Sequence, residues 1–314
     1  MRTAATAFAP ATSANVAVGF DILGFAITGL GDRISIERRQ DSAIIIQDIT
    51  GHPDAARLPR QTADNTAGQV ILSMQTELSL NFGVDIRIEK GIPLGSGLGG
   101  SAASAVAAAV AMNALLPEPL STDALINFAL CGEQVASGQK HGDNVIPCLL
   151  GGLQLTTQLT PLNTIALPIP AIHAVFVHPH LVIETKAARQ CLEQPFALAD
   201  VVQQTANLAG FISSLYTGDM AQFTRHIQDV LVTPRRAQLI PGFDTAQQAA
   251  LEAGALAANI SGAGPTLFAF APDTETATEA GQAMQQAFAQ HQLDSDVWLS
   301  PIAEQGAYVI PEST

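Results

Sequence analysis

The sequence predicts a mixed protein of helices and sheets, α+β or α/β, in two domains. Three observations carry this. The chain has 314 residues, enough for about two domains of roughly 150 residues. Short strand-like segments and longer helical segments alternate in both halves. Between the halves the composition shifts at Gln158–Ala171, "QLTPLNTIALPIPA", where Pro161, Pro168 and Pro170 cluster. The boundary expected there gives an N-terminal domain at 1–160 and a C-terminal domain at 165–314.

The elements follow in order. Ala9–Gly24, "APATSANVAVGFDILG", is polar for an N-terminal strand region. It is either a hairpin with turn residues or a loop whose Asn15 and Asp21 bind a polar small molecule. "RISIERR" and "SAIIIQDI" read as strands, and "NTAGQVILSMQTEL" (Asn65–Leu78) as a helix. "GVDIRIEK" (Gly83–Lys90) alternates Val84, Ile86 and Ile88 against Asp85, Arg87 and Glu89, a half-buried strand. "GIPLGSGLGG" follows, then the apolar run Ser101–Leu116. That run is 16 residues long, short of the ~20 a membrane span needs, so it reads as a buried helix. "STDALINFALCGEQVASG" is a helix capped by Ser121 or Thr122. Past the boundary come a strand ("IHAVFVHP") and two helices ("TKAARQCLE" and "LADVVQQTANLAGFISSLY"). The end reads helix (Asp244–Ala257), strand (Thr266–Phe270), helix (Thr274–Ala289), strand (Ser295–Leu299).

Composition narrows the function. Hydrophobic residues are 47% of the chain, so a core forms, and with aromatics at 5% that core is expected to be mostly Ala, Leu, Ile and Val. Three lysines and eleven arginines leave a net charge of −14. No basic cluster exceeds Arg38-Arg39 or Arg235-Arg236, which argues against nucleic acid and against an anionic membrane surface. Cys131, Cys148 and Cys191 fit neither a zinc site nor a disulfide framework and read as free thiols. No signal peptide is apparent, and a cytoplasmic location is expected.

Gly91–Gly100 holds five glycines between a strand and a helix. A flexible turn needs one or two. Gly95, Gly97 and Gly100 match a dinucleotide fingerprint. The acidic residue that should end a second strand about 20 residues on is missing, since Glu118 lies between two prolines. The third reading is a phosphate cradle, with the backbone close to an anion and Ser101 opening a helix whose free N–H groups face it. The lysine of a P-loop is absent, so the cradle belongs to another class.

Other polar residues stand out. With Leu125 at 0° on a helical wheel, Glu133 falls among Phe128, Ala129 and Ile126, on the apolar face. An inward carboxylate there calls for a metal ion or an arginine, unless it sits at the helix edge. "GQKHGDNVIPCLLGG" packs His141, Asp143 and Asn144 between glycines, either as an ordinary loop or with Asp143 as base or metal ligand. Lys186 and Arg189 share a helix face. Arg189, Arg235 and Arg236 are either solvated or carboxylate clamps. "ISGAGPTLFAF" is a second glycine turn running into a strand.

These segments, in this order, resemble the GHMP kinases, a family of small-molecule kinases. The family's central motif is roughly P-x-G-x-G-L-G-S-S-A, and Pro93–Ala102 reads "PLGSGLGGSA". The resemblance covers nearly the whole chain and is closest to members acting on L-homoserine. It implies an α+β protein with an N-terminal domain like ribosomal protein S5 domain 2 and a ferredoxin-like C-terminal domain. It also implies ATP between the domains, Mg²⁺, a homodimer and a place in threonine biosynthesis. By motif, Pro93, Leu94, Gly95, Ser96, Gly97, Leu98, Gly99, Gly100, Ser101, Ala102 and Ala103 would wrap the triphosphate, with Asn65 near the base. Ser101 and Glu133 would hold Mg²⁺. Asn15, Asp21, His141, Arg189 and Arg236 would bind the amino acid, and Asp143 with Asn144 would serve catalysis. Two departures stand. Gly100 replaces a usual serine, and "AVG" at Ala17–Gly19 replaces a more usual "GPG". The alternatives are a family member acting on mevalonate or a sugar, and a non-catalytic sensor of the same fold.

Overall fold

The computed structural model describes residues 2–138 and 140–311. Apolar alternation builds a first sheet from β1 (Ala4–Ala14), β2 (Leu23–Arg38), β3 (Ile44–Gly51), and, after helix α1 (Thr66–Glu77), β4 (Val84–Lys90). The strand order is β11-β1-β2-β4-β3, where β11 is Tyr308–Val309 returning from the far end of the chain. β2 is long enough for two partners on one side: Arg33–Arg38 pairs with β4, and Leu23–Phe25 pairs with β5 (Leu153–Leu159). β5 continues into a hairpin with β6 (Leu162–Leu167).

Helices α2 (Gly100–Asn113), α3 (Thr122–Ser137) and α4 (Gly142–Leu150) complete this layer. α2 is the buried rod expected from its composition, with every residue from Ala102 to Met112 buried. Alanine side chains let α1, α3 and both central strands approach it closely.

The second layer starts with β7 (His173–Pro179). Helices α5 (Thr185–Gln190), α6 (Leu198–Thr217), α7 (Met220–His226) and α8 (Thr233–Arg236) follow, then α9 (Phe243–Glu252), β8 (Ala257–Ile260), β9 (Leu267–Ala271), α10 (Thr274–Gln290) and β10 (Ser295–Ser300). The sheet order β10-β7-β9-β8, all antiparallel, places the first and third of four strands in the centre. This is the ferredoxin-like arrangement, with α9 and α10 packed on it.

Two expectations meet a different outcome. The segment read as an interdomain stretch contains β6, because its prolines lie in the β5–β6 turn and after the strand; the division expected between 160 and 165 falls inside that hairpin, and the first sheet reaches Leu167. The helix expected to run to Ala257 stops at Glu252, since Gly254 takes φ +95° and Ala257 opens β8. The core is mostly Ala, Ile, Val and Leu, as expected, with phenylalanines among them. Phe25, Phe176, Phe211, Phe223, Phe268, Phe270 and Phe288 are fully buried. Phe25 of the first sheet meets Phe176, Phe268 and Phe270 of the second at 5.5–6.2 Å between ring centroids. These four rings pack the two sheets against each other.

Candidate active site

A cavity of about 600 Å³ is lined from both halves of the chain. One wall is the glycine loop. Gly95, Gly97 and Gly99 take φ +63°, +80° and +66°, and alternation of left-handed glycines turns successive N–H groups toward one point. Glycine is obligatory at two of these positions for a second reason. A Cβ on Gly97 would lie 2.4 Å from the Ser261 carbonyl oxygen, and one on Gly99 would lie 2.0 Å from the Thr12 hydroxyl. α2 begins directly after the loop, and its Ala103 N–H bonds the Gly99 carbonyl at 2.9 Å. The N–H groups of Gly100, Ser101 and Ala102 precede that bond, so they have no intrahelical acceptor and carry the positive end of the helix dipole. The result is an anion site made of backbone.

Pro93, Leu94, Gly95, Ser96, Gly97, Gly99, Gly100 and Ser101 line the cavity. The Ser96 hydroxyl is buried with no protein partner. Leu98, Ala102 and Ala103 do not line it, and their side chains are fully buried in the core. Ala103 has also committed its N–H to the helix. Asn65 reaches the cavity but acts as the cap of α1. Its side-chain oxygen accepts from Ala67 and Gly68, and its amide donates to the Pro59 carbonyl.

Beneath the loop lies a network that the sequence reading missed. Lys90 ends β4 almost fully buried, donating to Asp32, to the Gly100 carbonyl (2.8 Å) and to Ser104 (3.0 Å). Asp32 also accepts the N–H groups of Gly91 and Ile92 and the Ser104 hydroxyl. A buried ion pair holds only when its remaining hydrogen-bonding capacity is filled, as here. It clamps both ends of the glycine loop. The signal was in the pattern: Lys90 continues the inward phase Val84, Ile86, Ile88, and Asp32 precedes Ile34 and Ile36 in theirs.

Glu133 lies on α3, buried as its wheel position required. Desolvation raises its pKa to about 7, against a lowering contribution from the Ser101 hydroxyl bonded to it and from the charge of Lys90. Among the described residues, no group of three His, Cys, Asp or Glu side chains is placed to hold a metal. One carboxylate beside one hydroxyl, at the mouth of this anion site, nonetheless fits Mg²⁺. That ion keeps waters and takes oxygens from phosphates, so it needs few protein ligands.

The opposite wall carries side chains from distant segments. Asn15, Val16 and Ala17 all have positive φ (71°, 47°, 57°), as does Asp21 (61°). A β-branched valine is strained there, at a cost of about 1–3 kcal/mol. Asn15 holds the loop: its side-chain oxygen accepts the Asp21 N–H and its amide donates to the Gly262 carbonyl. The Arg189 guanidinium donates to both Asp21 carboxylate oxygens, at 2.8 and 3.1 Å. His141 Nδ1 is 3.7 Å from Asp21, and burial pushes the His141 pKa down. Arg236 is buried, donates to the carbonyls of Ala188 and Gly262, and stands 5.1 Å from the Phe20 ring centroid. Arg235 turns away toward the carbonyls of Leu192, Gln194 and Pro195.

Between the two walls sit Asp143 and Asn144, in the first turn of α4. Asp143 is buried, with one carboxyl oxygen lacking any protein partner. Burial first, then the charges of Asp21 and Glu133, raise its pKa to about 7. Val182, Ile183 and Glu184 were not singled out from sequence, and they line the cavity from the second domain.

A two-domain fold whose backbone anion cradle faces a set of paired charges defines a class, and the comparisons name it. Residues 65–152 match the family model for the GHMP kinases N terminal domain, and residues 211–290 match that for the GHMP kinases C terminal domain. The chain belongs to the GHMP kinase family and is an ATP-dependent small-molecule kinase. Within that family its near relatives are homoserine kinases. It is 48% identical to the one from Xylella fastidiosa (strain 9a5c), over 98% of this chain and 94% of the relative. It is 42% identical to the one from Chlorobium phaeobacteroides (strain BS1), over 97% and 99%. The crystal structure of homoserine kinase from Cytophaga hutchinsonii superposes with a TM-score of 0.94 at 42% identity, covering 99% of this chain and 98% of that one.

Proposed function

We propose that this chain is a homoserine kinase, transferring the γ-phosphoryl group of ATP to the side-chain hydroxyl of L-homoserine to give O-phospho-L-homoserine in threonine biosynthesis. The observation that carries the reading is the Asp21–Arg189 pair, with Arg236 beside it, facing the glycine loop across the cleft. Asp21 and Arg189 pair with each other across the second wall. An amino acid offers an ammonium to Asp21 and a carboxylate to Arg189 and Arg236, so both are re-paired when it binds. Mevalonate or a sugar has no ammonium and would leave Asp21 uncompensated. Asn15 fixes the loop that presents Asp21, and His141 flanks it.

The glycine loop and the N-terminus of α2 hold the triphosphate. Ser101 and Glu133 would hold Mg²⁺, which when bound neutralises charge on the phosphate oxygens. This chain's own task is alignment and electrostatic complementarity. Asp143, with its pKa near 7, is matched to accept the hydroxyl proton at neutral pH. The γ-phosphoryl oxygen is the other acceptor, and Asp143→Asn separates the two: near-normal turnover removes Asp143 as the base. A cytoplasmic homodimer completes the proposal. Among the described residues, no helix is long and apolar enough to cross a membrane.

A coupled assay of ADP release with homoserine, mevalonate, serine, threonine and galactose tests the reading. Turnover favouring homoserine is expected. Preference for mevalonate or galactose moves the chain to another branch of the family, and no release with any acceptor makes it a sensor.

A further inference from the structure

Thr12 touches the glycine loop and Asn144 at a single point. It lies on β1, next to the register shift between Pro10 and Thr12, and is fully buried. Its N–H donates to the Leu98 carbonyl at 3.1 Å. Its hydroxyl donates to the side-chain oxygen of Asn144 at 2.7 Å. Gly99 rests on this hydrogen bond: a Cβ there would lie 2.0 Å from the Thr12 hydroxyl and 2.9 Å from that same Asn144 oxygen.

A carboxamide has an acceptor end and a donor end. Because Thr12 donates to the oxygen, the NH₂ end of Asn144 is the one left for the cavity, which Asp143 also lines. A flipped amide would turn its oxygen to the cavity, where both the acceptor oxygen and the phosphoryl oxygens would repel it. We infer that Thr12 is a positioning residue, which orients the Asn144 amide as a donor to the reacting oxygens and ties that orientation to the seated glycine loop. The inference rests on the kinase reading above for its consequence, but its geometry does not.

Thr12→Val keeps the branched shape and the N–H but cannot donate from the side chain, whereas Thr12→Ser can. With homoserine and MgATP, Thr12→Val is expected to lower kcat about tenfold or more, since an oriented donor at a transition state is worth about 10²–10³-fold. KM for both substrates should move by less than about threefold. Thr12→Ser should restore most of kcat. In an Asn144→Ala background, Thr12→Val should cost nothing further, because Thr12 acts only through Asn144. A full tenfold loss in that background overturns the inference, as does wild-type kcat in Thr12→Val or no rescue by serine. A readout independent of turnover separates this from failure of the kinase reading. The Asn144 side-chain NH₂ resonances, assigned by their loss in Asn144→Asp, should be the same in the wild type and Thr12→Ser and shifted or broadened in Thr12→Val. Unchanged resonances in Thr12→Val overturn the inference whatever the substrate proves to be.

Discussion

On one wall of the cleft the binding groups are backbone N–H groups from a single run of residues, Gly95–Ala102, seated by left-handed glycines and a helix N-terminus. On the other wall they are side chains from segments up to 221 residues apart, Asn15 to Arg236, which meet only when both domains are folded. The first wall is backbone and carries no net charge of its own. The second stores opposite charges against each other in the Asp21–Arg189 pair. A backbone site selects for an anion of the right size and tolerates many acceptors. A pre-paired site rewards only a ligand that carries both charges. On the proposed reading, family-level chemistry therefore belongs to the first wall and substrate choice to the second.

The largest expected effect breaks the first wall. Gly97→Val combines a forbidden φ of +80° with a Cβ 2.4 Å from the Ser261 carbonyl oxygen and 2.8 Å from Gly264 backbone atoms. It should weaken nucleotide binding at least about 100-fold. Calorimetric titration with a non-hydrolysable ATP analogue reads this, with circular dichroism as the folding control. Intact binding in a folded variant would mean that the loop is not the cradle.

Next comes the second wall. Asp21→Asn should raise the homoserine KM by about 10–100-fold, the worth of one charge-assisted pair, and leave ATP affinity within about twofold. If ATP affinity falls as far as homoserine affinity, the walls are not separable, and substrate binding must organise the glycine loop.

The two raised carboxyls lie where the walls meet. For Asp143 the folded pKa, about 7, exceeds the ordinary 3.8. Its stability contribution is therefore fully present below about pH 4 and is lost as pH rises through 7. The shift of about three units caps the loss at roughly 4 kcal/mol. Asp143→Asn should accordingly be more stable than the wild type at pH 8 and equal to it near pH 4, by thermal unfolding without ligand. Glu133→Gln should share that gain at pH 8. It alone should also abolish the further rise in Tm that Mg²⁺ adds to an ATP analogue. A Mg²⁺-dependent rise that survives Glu133→Gln excludes Glu133 as a ligand.

The difference between the walls also explains what was legible in the sequence. The glycine loop is readable because backbone geometry dictates residue type: only glycine fits Gly97 and Gly99. The inward Glu133 follows from helical period alone. Lys90 and Asp32 were readable by the same logic, as charges on the inward phase of their strands, yet each looks like an ordinary charged strand residue until its phase is counted. The Thr12–Asn144 bond could not be read, since nothing local relates residues 132 apart. Nor could the Asp21–Arg189 pair be read as a pair: the motifs offered two candidate ligand groups, and only the fold shows that they pair with each other. β6 was hidden by prolines that lie outside it, and β8 by alanines that suit a helix until Gly254 ends one.

The smallest expected effect sharpens the first wall at the position where this chain departs from the family's motif. Gly100 opens α2 and, unlike its neighbour Gly99, is not among the positive-φ glycines. A Cβ there would meet Ile92 Cγ2 at 3.3 Å and Lys90 Nζ at 3.5 Å. The first contact is tight by a few tenths of an ångström, and the second is ordinary van der Waals contact. The N–H that matters for an anion is retained by any residue but proline. Gly100→Ser should therefore keep the ATP KM within about threefold, and helix propensity favours serine over glycine by a few tenths of a kcal/mol. The Lys90 clamp limits how far this tolerance extends, because Lys90 also donates to the Gly100 carbonyl at 2.8 Å. A bulkier Gly100→Val should push Ile92 and Lys90 aside, loosen the clamp and raise the ATP KM clearly above that of the serine variant. Equal ATP KM values for Gly100→Ser and Gly100→Val would show that the Lys90–Asp32 network does not support the loop, and that glycine conformation alone seats the phosphates.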